Sequence, residues 1–366
     1  MEITVDNVII AGHGRVLAAQ KLGLTEVPVV IHSHLNDNQR KAYTLLNNRL
    51  AETGGGWDTE MLKLELDELP EFDLSCFGEV LEGLLEQDIS LNGLTDDDEV
   101  PEPPKKARTE LGRIYQLGKH RLMCGDSTSE KDIGMLMDGV KADICFTSPP
   151  YNAGKTPTEV KSGKSSKYEN YSDDLSDAKY ESFLYDYLKL SLEYAEYSFC
   201  NIQSISGNKT ALINVLYRLI DVYADTIIWD KLYSQPAMQE NVLNSEFEYV
   251  HIFSKKANRS IGTKYFRGTL SNILHLSKQT KNKVKEHNAT FPIEFVVYFI
   301  ASFCTCKGTV LDVFGGSGTT LIACEQTNRQ CRMMELDPIY CDVIVERYCK
   351  LKGIDSDKVF ETGVAE

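Results

Sequence analysis

The run Thr147-Ser148-Pro149-Pro150-Tyr151 combines residue types that could hold an amine. Two consecutive prolines fix the backbone and remove two amide donors. What remains is a rigid rim of carbonyl acceptors, with the Ser148 hydroxyl before it and the Tyr151 ring after it. Such acceptors can take the hydrogens of an exocyclic amino group while its nitrogen lone pair points at an electrophile and the ring stacks on a base. A base reached in this way must leave its duplex, which costs unstacking energy. A proline-stiffened turn is the plainer account of the motif taken alone. A second run, Val310-Leu311-Asp312-Val313-Phe314-Gly315-Gly316-Ser317-Gly318-Thr319-Thr320, reads as a strand entering a glycine-rich turn that opens a helix. Glycines let a backbone approach a bound cofactor closely. Glu335 stands one helix and one strand later, the separation at which an acid meets ribose hydroxyls in nucleotide-binding folds. The turn lacks the lysine of a phosphate-binding loop, which counts against ATP.

Both runs need strand ends to present them, and the flanking patterns supply these. Residues Ala142–Phe146 form a short apolar strand leading into the rim. Beyond it the patterns predict a helix over Tyr180–Tyr197, a strand over Ser198–Ile202, a helix over Lys209–Val222, and strands over Thr226–Trp229 and Tyr249–Phe253. Near the C-terminus follow helix Pro292–Phe303, strand Thr309–Phe314, helix Thr319–Thr327 and strand Arg332–Leu336. Strands separated by helical patterns predict an α/β fold with a doubly wound, Rossmann-like, largely parallel sheet.

At 366 residues the chain is long enough for two domains. The charged, proline-rich stretch Asp96–Lys106 reads as a semi-rigid linker. We therefore divide the sequence into a small α+β domain (1–91), a linker (92–108), a main domain (109–352) and a C-terminal tail (353–366). No apolar run has the length needed to cross a bilayer, and the N-terminus lacks the pattern of a secretory signal. The ten cysteines are scattered through apolar segments. Their one close pair, Cys304 and Cys306, has no second pair at metal-ligand spacing, so reduced thiols are expected, with no metal. The net charge of −15 is unevenly spread. Acids crowd Asp58–Glu102, where Lys63 is the only base, whereas the stretch 255–285 has no acid and carries Lys255, Lys256, Arg259, Lys264, Arg267, Lys278, Lys281, Lys283 and Lys285. Local basic density of this kind suits phosphate contact, although a charge run can also be a solvated loop.

Taken together, Ser148-Pro149-Pro150-Tyr151 and the distant Asp312-x-Phe314-x-x-Ser317-Gly318-Thr319 resemble the β class of DNA amino-methyltransferases, in which the catalytic motif precedes the cofactor motif by circular permutation. The resemblance covers roughly residues 110–350. Leu122–Ser127 resembles the family's segment before the catalytic strand, with Asp126 near the adenosyl group. His287-Asn288-Ala289-Thr290-Phe291-Pro292 resembles its closing element over the cofactor, and Glu248–Lys256 the strand whose aromatic residue helps hold a flipped base. The basic stretch falls where the family keeps its target-recognition region. What the resemblance implies is S-adenosylmethionine as cofactor, held by Asp126, Asp312, Phe314, Gly315, Ser317, Gly318, Thr319, Glu335, His287, Thr290, Phe291 and Pro292, and double-stranded DNA as partner. It admits a homodimer and a cognate restriction nuclease, and implies a cytoplasmic setting in a prokaryote or phage. Serine before the prolines points to cytosine N4, with adenine N6 as the alternative. None of the ten cysteines follows a proline, so the nucleophile of C5-cytosine enzymes is missing. The family's usual proline at Val313 is absent, as is the Gln-Lys before Pro292. A DNA-binding partition-type regulator with a silent fold, and an RNA or protein-glutamine methyltransferase, are the competing readings.

The N-terminal region predicts strands over Asn7–Ile10 and Val27–Ile31 and helices over Val16–Leu22, Asn36–Leu50 and Thr59–Leu69. Gly12, His13 and Arg15 resemble the phosphate-holding turn of ParB/sulfiredoxin-like domains. That family's upstream elements are missing here, so the expectation is a truncated or degenerate docking module, with phosphate binding by Arg15 as the alternative.

Overall fold

A computed structural model describes residues 2–4, 8–11, 13–32, 100–154, 173–232, 241–256, 259, 261, 271–277, 291–305 and 307–365. The chain divides into two units, Met1–Asp88 and Ile89–Glu366. In the first, strands β1 (Glu2–Thr4) and β2 (Ile9–Ala11), helix α1 (His13–Lys21) and strand β3 (Val30–His32) are described. Their sheet has the order β2-β1-β3, with β1 antiparallel to β2 and parallel to β3. Strand β1 was not expected from the sequence. The expected turn over Gly12–Arg15 is already helix from His13 onward. The helices expected over 36–50 and 59–69 lie outside the described residues.

The second unit holds the chemistry-bearing runs. Its elements are β4 (Ile114–Leu117), β5 (His120–Cys124), α2 (Glu130–Met137), β6 (Ala142–Thr147), α3 (Asp177–Tyr194), β7 (Ala195–Ile202), α4 (Lys209–Arg218), β8 (Tyr223–Asp230), β9 (Phe247–Ser254) and β10 (Ile273–His275). They continue with α5 (Ile293–Phe303), β11 (Thr309–Asp312), α6 (Thr319–Gln326), β12 (Gln330–Glu335), α7 (Pro338–Lys352), α8 (Ser356–Thr362) and β13 (Val364–Ala365). Ten strands form one sheet in the order β10-β8-β9-β7-β6-β11-β12-β5-β4-β13. The strands around β6 and β11 run parallel, while β9 inserts antiparallel between β8 and β7, and β4 pairs antiparallel with β5. The sheet is therefore mixed at its flanks, where hairpin-like pairings need no crossover.

Burial on both faces explains the near-continuous apolar run of β6, whose Cys145 and Phe146 are inaccessible to solvent. Helix α3 buries Tyr180, Leu184, Tyr187, Leu188 and Leu192, the three- and four-residue spacing of a single helical face. Helices α2, α3 and α4 build the core on one side of the sheet. On the other side α5, α6, α7 and α8 build the second core, in which Trp229 stacks on Phe295 at 4.0 Å and Phe299 packs on Phe146 at 4.8 Å. Helix α7 starts on Asp337, whose side chain accepts from the Ile339 amide, with Pro338 at its first turn, and stops at Gly353 in the left-handed region.

Residues 353–366 are expected as a tail, but within 353–365 a helix and a short strand join the second unit. Helix α8 buries Val359 and Phe360, and β13 pairs in parallel with β4. The end of the expected linker is likewise anchored. The Arg108 and Thr109 amides donate to the Asp342 carboxylate at 2.7 and 2.8 Å, and the Arg108 guanidinium lies 4.0 Å over the Phe360 ring. Eight described cysteines are buried free thiols. Among the described residues no helix is long and apolar enough to cross a membrane.

Candidate active site

The order of the sheet reverses between β6 and β11. From β6 the chain crosses through α3 to β7 on one side, and from β11 through α6 to β12 on the other. Such a switch point leaves a crevice at the carboxyl ends of the strands, where ligands bind in open α/β sheets. Ser148–Tyr151 follows β6 and the glycine turn follows β11, so the two runs flank this crevice. Thr147 Oγ1 donates to Asp312 Oδ1 at 2.7 Å and ties them together. Asp312 also accepts from the Phe314 amide at 3.1 Å, and burial raises its carboxyl to about 6. It braces the two runs from beneath.

Of the Pro149, Pro150 and Tyr151 backbone carbonyls, two are already engaged. Tyr180 Oη donates to the Pro150 carbonyl at 2.6 Å, and Asn208 Nδ2 to the Tyr151 carbonyl at 2.8 Å. None of the described residues donates to the Pro149 carbonyl. The rim's exit is locked by Asn152, which adopts φ 57° and whose Nδ2 donates to the Leu175 and Gly207 carbonyls at 2.9 and 2.8 Å. Gly207 has no room for a side chain, since a Cβ there would lie 2.1 Å from the Asn152 carbonyl oxygen.

Behind the rim lies a polar group of which Asn201 and Lys231 belong to no motif. Tyr151 Oη donates to Glu248 Oε2 at 2.9 Å and lies 3.4 Å from Ser148 Oγ and 3.3 Å from Asn201 Oδ1. Lys231 Nζ pairs with the other Glu248 oxygen at 3.4 Å, and both residues are buried. Burial and the neighbouring carboxylate push the Tyr151 phenol well above its ordinary value, so it remains a donor. Asn201 is the penultimate residue of β7, Lys231 follows β8 and Glu248 is the second residue of β9, and the antiparallel register sets Glu248 opposite Trp229. The signal available in the sequence was faint: one acid at the head of an apolar strand.

Across the crevice the turn presents backbone. The Gly316 amide donates to Glu335 Oε2 at 2.8 Å and the Asp337 amide to Glu335 Oε1 at 3.0 Å. Burial first, opposed by these two bonds, raises the Glu335 carboxyl to about 7. Gly318 adopts φ +85°. The Ser317 and Thr319 side chains are buried beneath the turn, where Arg347 Nη1 donates to the Ser317 carbonyl at 3.0 Å and lies 3.2 Å from Thr319 Oγ1. Phe314 packs against Tyr187 at 4.9 Å and Phe183 at 5.5 Å. These three side chains shape the turn from inside. Asp126 follows β5 at the same end of the sheet and is exposed, accepting from Thr128. Phe291 stands 5.9 Å from Phe146, and Pro292 caps α5. His287 and Thr290 lie outside the described residues.

Residues 142–346, more than half of the chain, match the family model for the N6/N4 type of DNA methylase. The chain belongs to the N6/N4 DNA methylase family. Two curated relatives are the Type II methyltransferases M.Cfr9I of Citrobacter freundii, 28% identical over 144 residues, and M.SmaI of Serratia marcescens, 29% identical over 140 residues. These alignments take in 36% and 33% of this chain and 45% and 44% of the relatives, so the methylase chain spans a little under half of their length. The solved PvuII DNA methyltransferase (cytosine-N4-specific) shares the fold, with a TM-score of 0.50 at 18% identity, covering 72% of this chain and 98% of its own.

The basic residues of this DNA methylase family member divide. Lys255, Lys256 and Arg259 follow β9, whose end pairs with the start of β7, so they sit at the edge of the sheet opposite the crevice. Each is paired there with an acid: Lys255 with Glu193 at 2.8 Å, Lys256 with Glu196, and Arg259 with Asp225 at 2.7 Å. The structure does not bring them to the rim. Lys264, Arg267, Lys278, Lys281, Lys283 and Lys285 lie outside the described residues.

Proposed function

We propose that the chain transfers a methyl group from S-adenosylmethionine to an exocyclic amino group of a DNA base, with cytosine N4 as the target. The observation that carries this reading is the Thr147–Asp312 bond, which holds an acceptor-lined rim and a glycine turn side by side at the switch point. The residues present fit an adenosyl cofactor. A Cβ at Gly316 would meet nothing within 4 Å, which leaves the backbone open to close approach. Each Glu335 oxygen accepts one amide and keeps a lone pair for a ribose hydroxyl. Bound there, S-adenosylmethionine supplies an electrophilic methyl on a sulfonium.

The chain's own contribution is alignment. Ser148 Oγ and the Pro149 carbonyl accept the two amino hydrogens, so the nitrogen lone pair faces across the crevice toward the turn. The same acceptors oppose the positive charge that develops on the nitrogen. Tyr151 gives its ring to the base from a loop locked by Asn152 and Asn208. Serine at 148, where the resembling adenine enzymes carry an acid or amide, favours cytosine.

For the N-terminal unit we propose a ParB/sulfiredoxin-like docking module, divided from the catalytic unit near residues 92–108. The test of the main reading is to incubate the protein with unmethylated bacterial DNA and labelled S-adenosylmethionine, digest the DNA and identify the nucleoside by mass. N4-Methylcytosine is the expected product. N6-Methyladenine corrects the base, and an unlabelled DNA fraction with intact cofactor binding overturns the substrate.

A further inference from the structure

Resting on the amino-methyl-transfer reading, we propose that Glu248, held by Lys231, is a positioning residue that sets the direction of hydrogen bonding through Tyr151 and Ser148. Ser148 Oγ then meets the target base only as an acceptor, and the pocket admits a base bearing an amino group there and refuses one bearing a carbonyl.

The direction follows from counting protons. Among the described residues the Tyr151 hydroxyl has three polar neighbours: Glu248 Oε2 at 2.9 Å, Asn201 Oδ1 at 3.3 Å and Ser148 Oγ at 3.4 Å. Glu248 is the nearest, and it is the charged member of the three. A carboxylate only accepts, so the phenol proton goes to it. Asn201 donates its Nδ2 to the Tyr249 carbonyl at 3.2 Å, which turns its oxygen toward Tyr151 and makes it an acceptor as well. Of the three neighbours only Ser148 then has a proton to give, and it gives it to the Tyr151 oxygen. The serine is left presenting lone pairs beside the Pro149 carbonyl. Two acceptors in one pocket pair with the amino group of cytosine or adenine, and repel the O4 of thymine or the O6 of guanine.

Lys231 makes this arrangement stable. Glu248 is 4% and Lys231 7% exposed, and a carboxylate buried to that degree is costly without a counter-charge. The pair is built by register, since Lys231 follows the β8 strand on which Trp229 faces Glu248. No residue of this pair belongs to the rim or the glycine turn.

The test is a double-mutant cycle between Glu248→Gln and Tyr151→Phe, reading kcat and KM for methyl transfer to unmethylated bacterial DNA alongside cofactor binding. Both changes are made in an Asn201→Leu background, because Asn201 Oδ1 at 3.3 Å would otherwise take the displaced phenol proton. In Glu248→Gln, Lys231 then draws the carboxamide oxygen, the amide NH2 faces Tyr151, and the chain reverses so that Ser148 donates. We expect kcat to fall at least ten-fold with KM and cofactor affinity unchanged. In the Tyr151→Phe background, which keeps the ring but has no hydroxyl, the same change should alter kcat less than two-fold. Equal losses in both backgrounds, or an unchanged kcat, overturn the proposal, because a merely structural carboxylate would cost the same with or without the hydroxyl. Should Glu248→Gln not fold with Lys231 facing a neutral partner, the pair Glu248→Gln/Lys231→Gln carries the cycle, because the new amide can still donate to the carboxamide oxygen and keep its NH2 on Tyr151, with the same dependence on the Tyr151 hydroxyl expected. Wild-type protein that labels DNA while the cycle is additive sinks this inference alone. Wild-type protein that labels no DNA sinks the methyl-transfer reading and this inference together.

Discussion

Ser148 has one proton, and the geometry sends it to Tyr151, 3.4 Å away. Its proposed role in transfer is thus to accept, and alanine there removes an acceptor without disturbing the glycine turn across the crevice. Ser148→Ala is expected to keep cofactor affinity and lose roughly 100-fold in kcat, the scale seen when one preorganised hydrogen-bonding group is removed. Equilibrium binding of labelled cofactor beside single-turnover transfer separates the two effects, and normal turnover would refute the role. Glu335 poses a different question, because burial holds its carboxyl at about 7. A carboxyl whose pKa is raised on folding binds its proton more tightly in the folded state. Its contribution to stability is full below about 4.5 and is lost as pH rises through about 7. The loss is on the order of 3 kcal/mol by pH 8. Glu335→Gln has no such proton, so the melting temperature of wild type relative to the variant should fall by several degrees between pH 5 and pH 8 in cofactor-free protein. A constant difference across that range would show that Glu335 titrates normally.

At the scale of elements, the site depends on how closely its loops approach one another. Gly207 sits where a Cβ would be 2.1 Å from the Asn152 carbonyl oxygen, and Asn152 is the residue that closes the rim. Gly207→Ala must therefore push the loop that carries Tyr151, whereas β11, the glycine turn and Glu335 lie on the other side of the switch point. The expected result is a fall of at least ten-fold in kcat with cofactor affinity within two-fold of wild type. Affinity loss of equal size would mean that the rim and the turn move as one body. Strands β6 and β11 were legible in the sequence because each is a short buried apolar run ending in an unusual turn, and Glu335 because its separation from the glycines is a local count. Glu248 and Lys231 were not, since their pairing is made by the β8–β9 register, and Asn201 because an amide inside an apolar strand carries no pattern of its own. The strand at 364–365 was missed for a related reason: two residues carry no periodicity, and their place beside β4 is decided by α8 packing its Val359 and Phe360 into the core.

For the whole molecule, the question is how a chain of net charge −15 meets a polyanion. Its acid-free stretch suits phosphate contact by local charge density, but charge runs say nothing of which end of a strand they follow. Lys255, Lys256 and Arg259 leave β9 at the edge away from the crevice, and each is already neutralised by Glu193, Glu196 or Asp225. An exposed ion pair of this kind contributes little to stability and leaves no free cation for a phosphate. The remaining bases of the stretch, down to Lys285, precede the Phe291-Pro292 element that stands beside β6. If phosphate contact belongs to the bases nearest that element, Lys281, Lys283 and Lys285 are the ones that displace counterions. Each neutralised phosphate adds about 0.9 to the slope of log affinity against log salt. Exchanging the three for alanine should therefore lower that slope by about 2 to 3 in DNA binding measured from low to moderate salt. Exchanging Lys255, Lys256 and Arg259 should leave it unchanged. The opposite pattern would place the DNA along the far edge of the sheet, where no base could reach Ser148, and would separate binding from the proposed chemistry.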